Sequence, residues 1–280
     1  MAVETNVKLA VLIDADNVSP AMAAPLLAEV AKFGTAFARR AYGDWTGNSL
    51  RSWKEQLLTQ SIQPVQQFAY TSGKNATDSA MIIDAMDLLY TNRFDGFCLA
   101  SSDSDFTRLA ARIRESGLVV YGFGERKTPK PFVAACDKFT HFENILYNDE
   151  QLVAVQPSLP AVATVPTAKA SNSNAVLAQR SSQAVPSLKN EAQLAKQLRM
   201  AIEAASDEEG WANLAKVGGL ITKQHPDFDP RTYGFTKLSE LVIATELFHI
   251  DRRSPGAGKP MVIYARDKRQ RRFGALSQGS

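Results

Sequence analysis

The sequence predicts an α/β protein in which a parallel sheet lies between layers of helices, followed by a small winged-helix domain. Three observations lead to this prediction. Short apolar segments alternate with helix-like segments over residues 1–150, as in parallel sheets with helices on both faces. A segment without aromatic or acidic residues follows. Beyond it, three helix-like segments precede two strand-like segments around a glycine-rich turn.

The first block contains five predicted strands and four predicted helices. Its first strand, Val7–Ile13, is nearly continuously apolar, as expected of a strand covered on both faces. Pro20 opens the first helix, where its missing N–H is tolerated. The strands are predicted at 7–13, 35–42, 62–70, 94–100 and 118–123, and the helices at 20–33, 50–61, 78–90 and 106–116.

The last block has the pattern of a winged helix. Its first helix carries an apolar stripe of Leu194, Leu198, Ile202 and Ala205. The helices are predicted at 194–205, 211–222 and 232–244, and the strands at 247–251 and 261–265 around the turn 254–260.

Composition separates these blocks. Residues 151–190 contain eight Ala, six Ser and four Pro, with no aromatic or acidic residue, which predicts a flexible linker. The expected organisation is therefore a first domain at 1–150, a linker at 151–190, a winged-helix domain at 191–266 and a basic tail at 267–280.

Charge is also divided along the chain. The net charge of the 280 residues is +3, which excludes a histone-like polycation and an acidic solvating tail. Residues 1–150 hold 15 basic and 18 acidic side chains, a net of −3, whereas 151–190 and 191–280 each carry +3. Eight Lys and Arg lie within 252–280, where Asp267 is the only acid. The sequence thus pairs an acidic first domain with a basic end.

Rare residues exclude several kinds of protein. Two cysteines, each in an apolar stretch, disfavour a disulfide-stapled secreted module and a cysteine-based zinc site. Three histidines leave little material for a histidine-based nucleophilic triad. No signal peptide and no apolar run of membrane-spanning length is seen, so we expect a soluble cytoplasmic protein without membrane association.

Acidic residues follow two of the predicted strands. The first strand runs into Asp14, Asp16 and Asn17, and the fourth into Ser101-Ser102-Asp103-Ser104-Asp105. Asp78 begins a helix after the polar loop 71–77. In open α/β sheets, sites form beyond the carboxyl ends of the strands, and we expect strands one and four to be neighbours at the point where the strand order reverses. The carboxylates are then gathered at one edge.

Such a cluster points to metal-dependent chemistry. Converging carboxylates without His or Arg repel one another unless a cation lies among them, and oxygen ligands favour Mg²⁺ or Mn²⁺. This arrangement suits phosphodiester hydrolysis, because the metal lowers the pKa of a bound water and neutralises charge at phosphorus. We expect Asn17 to hold a carboxylate or a metal-bound water, Ser102 to contact a phosphate oxygen, and Lys74 to pair with a non-bridging oxygen.

Two other interpretations remain open at this point. Each acid taken singly is also typical of a turn or a helix cap. Asp14 and Asp16 further satisfy the loose Asp-x-Asp signature of haloacid-dehalogenase-like phosphatases, with Asp103 and Asp105 as the magnesium ligands. That family builds a flap after the first strand, where Pro20 here begins a helix, and the interpretation leaves Asp78 unused.

The motifs Val11–Asn17, Gly73–Asp78 and Leu99–Phe106 resemble, in order and spacing, those of the NYN domain, a branch of the PIN-like nucleases. The resemblance covers roughly residues 5–145. It implies that Asp14, Asp78, Asp103 and Asp105 are catalytic metal-binding acids, supported by Asn17 and Ser102, and that RNA is cleaved with Mg²⁺ or Mn²⁺; relatives place varied residues at Asp16. Some PIN-like proteins bind RNA without cutting it, which leaves a non-catalytic RNA-binding adaptor as the alternative.

The stretch His225–Leu241 is similar to the LOTUS domain, also called OST-HTH, most specifically at Tyr233-Gly234 and Lys237-Leu238. The resemblance implies binding of RNA, including guanine-rich folded RNA, or docking of a protein partner. From the residues themselves, the cations expected to contact RNA are Arg231, Lys237, Arg252, Arg253 and Lys259. A basic tract at 266–272 attracts phosphates whatever their sequence.

Overall fold

The protein is represented by a computed structural model that describes residues 7–68, 76–146, 188–254 and 261–269. Contacts between residues divide the chain into two compact units: 1–150 with 218–238, and 151–217 with 239–280. Most of the predicted linker, and the tail from residue 270 onwards, lie outside the described residues. Among the described helices, none is long and apolar enough to cross a membrane.

The first unit contains a parallel sheet, as predicted, but with six strands instead of the five predicted. The order of the strands is β3-β2-β1-β4-β5-β6, so the first strand lies between the second and the fourth. The strand order therefore reverses between β1 and β4, which confirms their predicted pairing. The strands are β1 (Lys8–Asp14), β2 (Thr35–Gly43), β3 (Gln63–Gln66), β4 (Gly96–Ala100), β5 (Val119–Gly124) and β6 (Lys138–His141).

Helices cover both faces of this sheet. Alternate residues of β1 enter different cores, with Val11 packing on one side and Leu12 on the other. The first core includes side chains of α1 and α2, and the second includes side chains of α3, α4 and α5. These helices are α1 (Ala23–Val30), α2 (Trp53–Thr59), α3 (Ala76–Tyr90), α4 (Thr107–Glu115) and α5 (Lys130–Ala135).

Both cysteines are free thiols in these layers. Cys98 belongs to β4 and Cys136 follows α5, and neither is more than 1% exposed. Burial raises the pKa of both thiols above the ordinary value.

A buried ion cluster lies within the first unit. The guanidinium of Arg231, 8% exposed, contacts Glu29 at 2.8 Å and Asp229 at 2.5 Å. Burial alone would raise the pKa of Glu29, but hydrogen bonds from Arg231 and Lys32 outweigh it and hold that pKa below its ordinary value. Residues about 200 positions apart in sequence are thereby joined.

The second unit contains a small antiparallel sheet with a helical layer. Its strands have the order β7-β9-β8. Leu198, Ile202, Ala212, Val217 and Ala265 are at most 1% exposed and form its centre. The strands are β7 (Ala212–Asn213), β8 (Phe248–Arg253) and β9 (Val262–Asp267), and the helices of the C-terminal part of the chain are α6 (Leu188–Ala205), α7 (Leu214–Gln224) and α8 (Leu238–Ala244).

Two predicted helices of the last block were wrong in their bounds. The helix predicted from residue 211 begins at Leu214, because β7 pairs with β9 and Asn213 accepts a hydrogen bond from the N–H of Ala215 at 2.8 Å. The helix predicted over 232–244 is two elements, a 3₁₀ turn at Pro230–Tyr233 and α8, separated by Gly234 with φ of 82°. Most of the predicted turn at 254–260 lies outside the described residues.

Candidate active site

Asp14, the last residue of β1, is the buried member of the predicted acidic site. It is 1% exposed, and its Oδ2 accepts a hydrogen bond from Ser101 Oγ at 2.9 Å. Its Oδ1 accepts from the backbone N–H groups of Asp16 at 3.2 Å and Asn17 at 3.3 Å. Burial raises the pKa of Asp14, and hydrogen bonds from Ser101 and Asn17 offset part of that rise.

The segment after β4 carries two further acids. Asp103 caps the 3₁₀ turn Ser104–Phe106, and its carboxylate accepts a hydrogen bond from the N–H of Asp105 at 3.1 Å. The N–H of Asp103 in turn donates to Ser101 Oγ at 3.0 Å. The hydroxyl of Ser101 therefore links the buried carboxylate on β1 to the loop that presents Asp103.

Three carboxylates converge in front of these strands. Asp78 in the first turn of α3 and the pair Asp103 and Asp105 each offer one oxygen, and these oxygens all lie within 4.8 Å of one another. Asp14 is not a member of this group, but its charge acts on Asp78. Three hard anionic donors fit Mg²⁺ or Mn²⁺ better than zinc.

The pKa of Asp78 reflects the negative charges that surround this carboxyl. Burial, followed by the charges of Asp14, Asp103, Asp105 and Asp16, raises the pKa of Asp78 to about 6. A bound divalent cation would reverse the charge contribution, because it favours the ionised form of each carboxylate. The described site therefore carries excess negative charge, as expected of a site that binds a cation.

The remaining residues predicted for this site have more varied surroundings. Asn17 is exposed beside Asp14, and Asp16 accepts a hydrogen bond from Thr77 Oγ1 at 2.8 Å. Ser102 is 9% exposed, and its hydroxyl accepts from the N–H of Glu125 at 2.9 Å, which ties it to the end of β5. Lys74 lies outside the described residues.

The cations predicted to contact RNA are likewise in different surroundings. Lys237 and Arg252 are exposed, and the side chain of Arg253 is 40% exposed. Arg231 is enclosed by Glu29 and Asp229, which leaves its guanidinium little access to a phosphate. Lys259 lies outside the described residues.

Sequence reasoning missed Ser101. Its neighbour Ser102 was assigned the polar role, whereas the hydroxyl of Ser101 makes the contacts with Asp14 and Asp103. The available signal was position, since Ser101 directly follows the buried strand β4 next to β1.

Comparison with protein families gives two consecutive matches. The model of the NYN domain matches residues 8–146, and the model of the OST-HTH/LOTUS domain matches residues 189–260. The chain is an NYN-domain protein with a C-terminal LOTUS domain. NYN domains belong to the PIN-like nuclease superfamily, and LOTUS domains bind RNA. All four predicted metal-binding acids lie in the NYN domain.

Two solved structures resemble this NYN–LOTUS protein. A protein of unknown function from Vibrio parahaemolyticus is 19% identical over 50% of this chain and 96% of that chain, with a TM-score of 0.44. An uncharacterized protein from Nitrosomonas europaea is 33% identical over 42% of this chain and 98% of that chain, with a TM-score of 0.25. No curated protein matches the chain.

The geometry of the NYN domain does not favour the phosphatase interpretation. That mechanism needs Asp14 as an accessible nucleophile, but Asp14 is 1% exposed and its carboxylate is engaged by Ser101 and by backbone N–H groups. A 3₁₀ turn at Pro20–Met22 and α1 follow β1 where a flap would be needed.

Proposed function

We propose that this protein is a metal-dependent ribonuclease that hydrolyses RNA phosphodiester bonds at the acidic site of the NYN domain. The observation that supports this most directly is the convergence of Asp78, Asp103 and Asp105, with carboxylate oxygens within 4.8 Å of one another. Membership of a nuclease superfamily and the presence of an RNA-binding domain agree with it.

Asp78, Asp103 and Asp105 would hold a Mg²⁺ or Mn²⁺ ion, and the charge of Asp14 acts on Asp78. Such an ion supplies a water of lowered pKa and neutralises charge at the phosphate. In this proposal Asn17, which is exposed beside Asp14, would orient a water or a phosphate oxygen. Ser101 fixes the positions of Asp14 and Asp103.

The LOTUS domain supplies the RNA affinity in this proposal. Negative charge at the acidic site repels RNA unless cations occupy it, so a separate basic module is a suitable companion. The exposed side chains of Lys237 and Arg252 and the partly exposed Arg253 are available for phosphate contacts, and Lys74 and Lys259 remain predicted contacts.

Cleavage of a labelled RNA tests the proposal. With Mg²⁺ or Mn²⁺ the full chain is expected to cut, and Asp103→Asn and Asp78→Asn should each lower the rate at least a hundredfold, because each removes a charged ligand. Asp87→Asn is the matched control, since Asp87 is an exposed acid on the same helix as Asp78 and should retain the wild-type rate.

Metal binding can be measured without a substrate. Addition of Mn²⁺ should raise the melting temperature of the wild type and of Asp87→Asn, but not that of Asp103→Asn. Cleavage that persists in EDTA, or that is equal in Asp103→Asn and the wild type, would contradict a metal-dependent nuclease. Metal binding and RNA binding without turnover under either ion would instead identify an RNA-binding adaptor.

A further inference from the structure

One face of the sheet in the second unit does not pack against the hydrophobic core. Ala212 and Ala265 oppose each other on the buried side and are both fully buried. Side chains alternate between the faces along a strand, so their neighbours Asn213 and Tyr264, which also oppose each other, point to the other side. We call this second side of the sheet the outer face.

Arginine and aromatic side chains interleave on the outer face. The guanidinium carbon of Arg253 lies 4.6 Å from the ring centroid of Tyr264 and 5.2 Å from that of Trp211. The guanidinium carbon of Arg266 lies 4.7 Å from the ring centroid of Trp211. We call these four residues the arginine–aromatic ladder.

The side chains of the ladder are held in place and are still partly exposed to solvent. Trp211, Tyr264, Arg253 and Arg266 are all partly exposed, neither buried in the core nor fully in solvent. Asp251 accepts a hydrogen bond from Arg253 Nε at 2.8 Å, which helps to hold the guanidinium against the rings of Tyr264 and Trp211. Planar groups held at fixed positions lose little conformational entropy when a further planar group stacks on them.

The charge around the ladder fits a polyanion. On strands β8 and β9, Arg253 and Arg266 share the outer face with Asp251, and Lys268 and Arg269 directly follow β9. Single-stranded nucleic acid is recognised by aromatic and guanidinium planes that stack on bases, combined with cations that contact phosphates.

We propose that the ladder is a stacking platform for the bases of single-stranded RNA, with the surrounding cations contacting the phosphates. This places the RNA on the outer face of the β7-β9-β8 sheet. It deepens the proposed function by naming a surface for the substrate, and it rests on that function only in taking RNA as the ligand.

Binding of a labelled 12-nucleotide single-stranded RNA to the full chain in EDTA, followed by fluorescence anisotropy, tests the platform. Arg253→Lys keeps the charge but removes the guanidinium plane, and Tyr264→Leu removes the ring; each is expected to weaken binding about tenfold. Tyr264→Phe keeps the ring and should restore wild-type affinity. Lys196→Gln removes an exposed charge from α6 and should change affinity less than about twofold.

A duplex of the same length should bind more weakly, because its bases are already stacked on one another. Wild-type affinity of both Arg253→Lys and Tyr264→Leu, with melting temperatures unchanged, would overturn the platform and leave the ladder to protein docking or to stability. An equal loss in Lys196→Gln would also overturn it, since the weakening would then not be specific to the ladder. The assay contains no metal, so its outcome is independent of whether the NYN domain cleaves RNA.

Discussion

Ser101 is the uncharged residue on which the geometry of the acidic site depends. Its hydroxyl donates to Asp14 at 2.9 Å and accepts from the N–H of Asp103 at 3.0 Å, so one side chain contacts both the acid at the end of β1 and the acid in the loop after β4. A buried carboxylate without such a donor is costly, because no water replaces the lost hydrogen bond.

Ser101→Ala is therefore expected to lower the free energy of unfolding by about 1–3 kcal/mol and to weaken Mn²⁺ binding. Urea unfolding with and without Mn²⁺ measures both effects. Ser104→Ala, at an exposed position three residues along, should stay within about 0.5 kcal/mol of the wild type. Equal stability of Ser101→Ala and Ser104→Ala would show that the hydroxyl does not hold Asp14 and Asp103 together.

At the scale of elements, the end of β5 controls the position of the same loop. A Cβ atom added at Gly124 would lie 2.6 Å from the carbonyl oxygen of Ser101 and 2.7 Å from Thr128 Oγ1. The first of these neighbours is backbone and cannot rotate away. Close approach of β5 to the end of β4 thus requires a residue without a side chain at position 124.

We expect Gly124→Ala to lose about 1–3 kcal/mol of stability and to reduce RNA cleavage, because Ser101 must move. Gly219→Ala is the matched control: no atom lies within 4 Å of an added Cβ, and alanine in a helix gains about 0.5–1 kcal/mol over glycine. Thermal unfolding and the cleavage rate check both. A Gly124→Ala variant with wild-type stability and rate would disprove the close-packing requirement.

Elements with a strong hydrophobic pattern could be predicted from the sequence alone. Strands β1 and β4 were predicted because they are short apolar runs, and the acids at their ends followed from the rule for parallel sheets. β6 was missed because Lys138–His141 is short and mixes charged and aromatic residues. The hydroxyl contacts of Ser101 could not be predicted, since they depend on the direction of one side chain.

In the C-terminal part of the chain, too, some features could be predicted from the sequence and others could not. The apolar stripe of α6 was read correctly from its spacing, and Leu194, Leu198, Ile202 and Ala205 are all buried. Trp211 was predicted to begin a helix, but Ala212 pairs with Ala265 in the sheet instead. The arginine–aromatic ladder brings together residues more than fifty positions apart, which no local pattern predicts.

At the scale of the whole chain, Arg231 joins parts of the sequence that are about 200 residues apart. It pairs with Glu29 and Asp229, and all three side chains are less than 10% exposed. The pKa of Glu29 is lowered in the folded state, so its stabilising contribution is present above the ordinary pKa of 4.5 and is lost as the pH falls through the folded value.

Arg231→Met is expected to lower the free energy of unfolding at pH 7 by about 3–5 kcal/mol, because it leaves two buried carboxylates without their partner. The deficit should shrink as the pH falls towards 4.5 and below, because without Arg231 burial favours the protonated form of Glu29 in the variant. Urea unfolding at pH 7, 5 and 4 measures this. Lys32→Met is the control, since Lys32 is 54% exposed beside Glu29 and should cost less than about 1 kcal/mol. A deficit independent of pH would contradict the role of the Glu29 charge.

The two buried thiols have a practical consequence for measurements in solution. Cys98 and Cys136 are protonated and shielded, so a maleimide dye should not react with the native fold. A cysteine placed at an exposed position such as Ser116 then becomes the only reactive group without removal of either native one. A dye attached there would label the protein at one known site and leave both native cysteines in place.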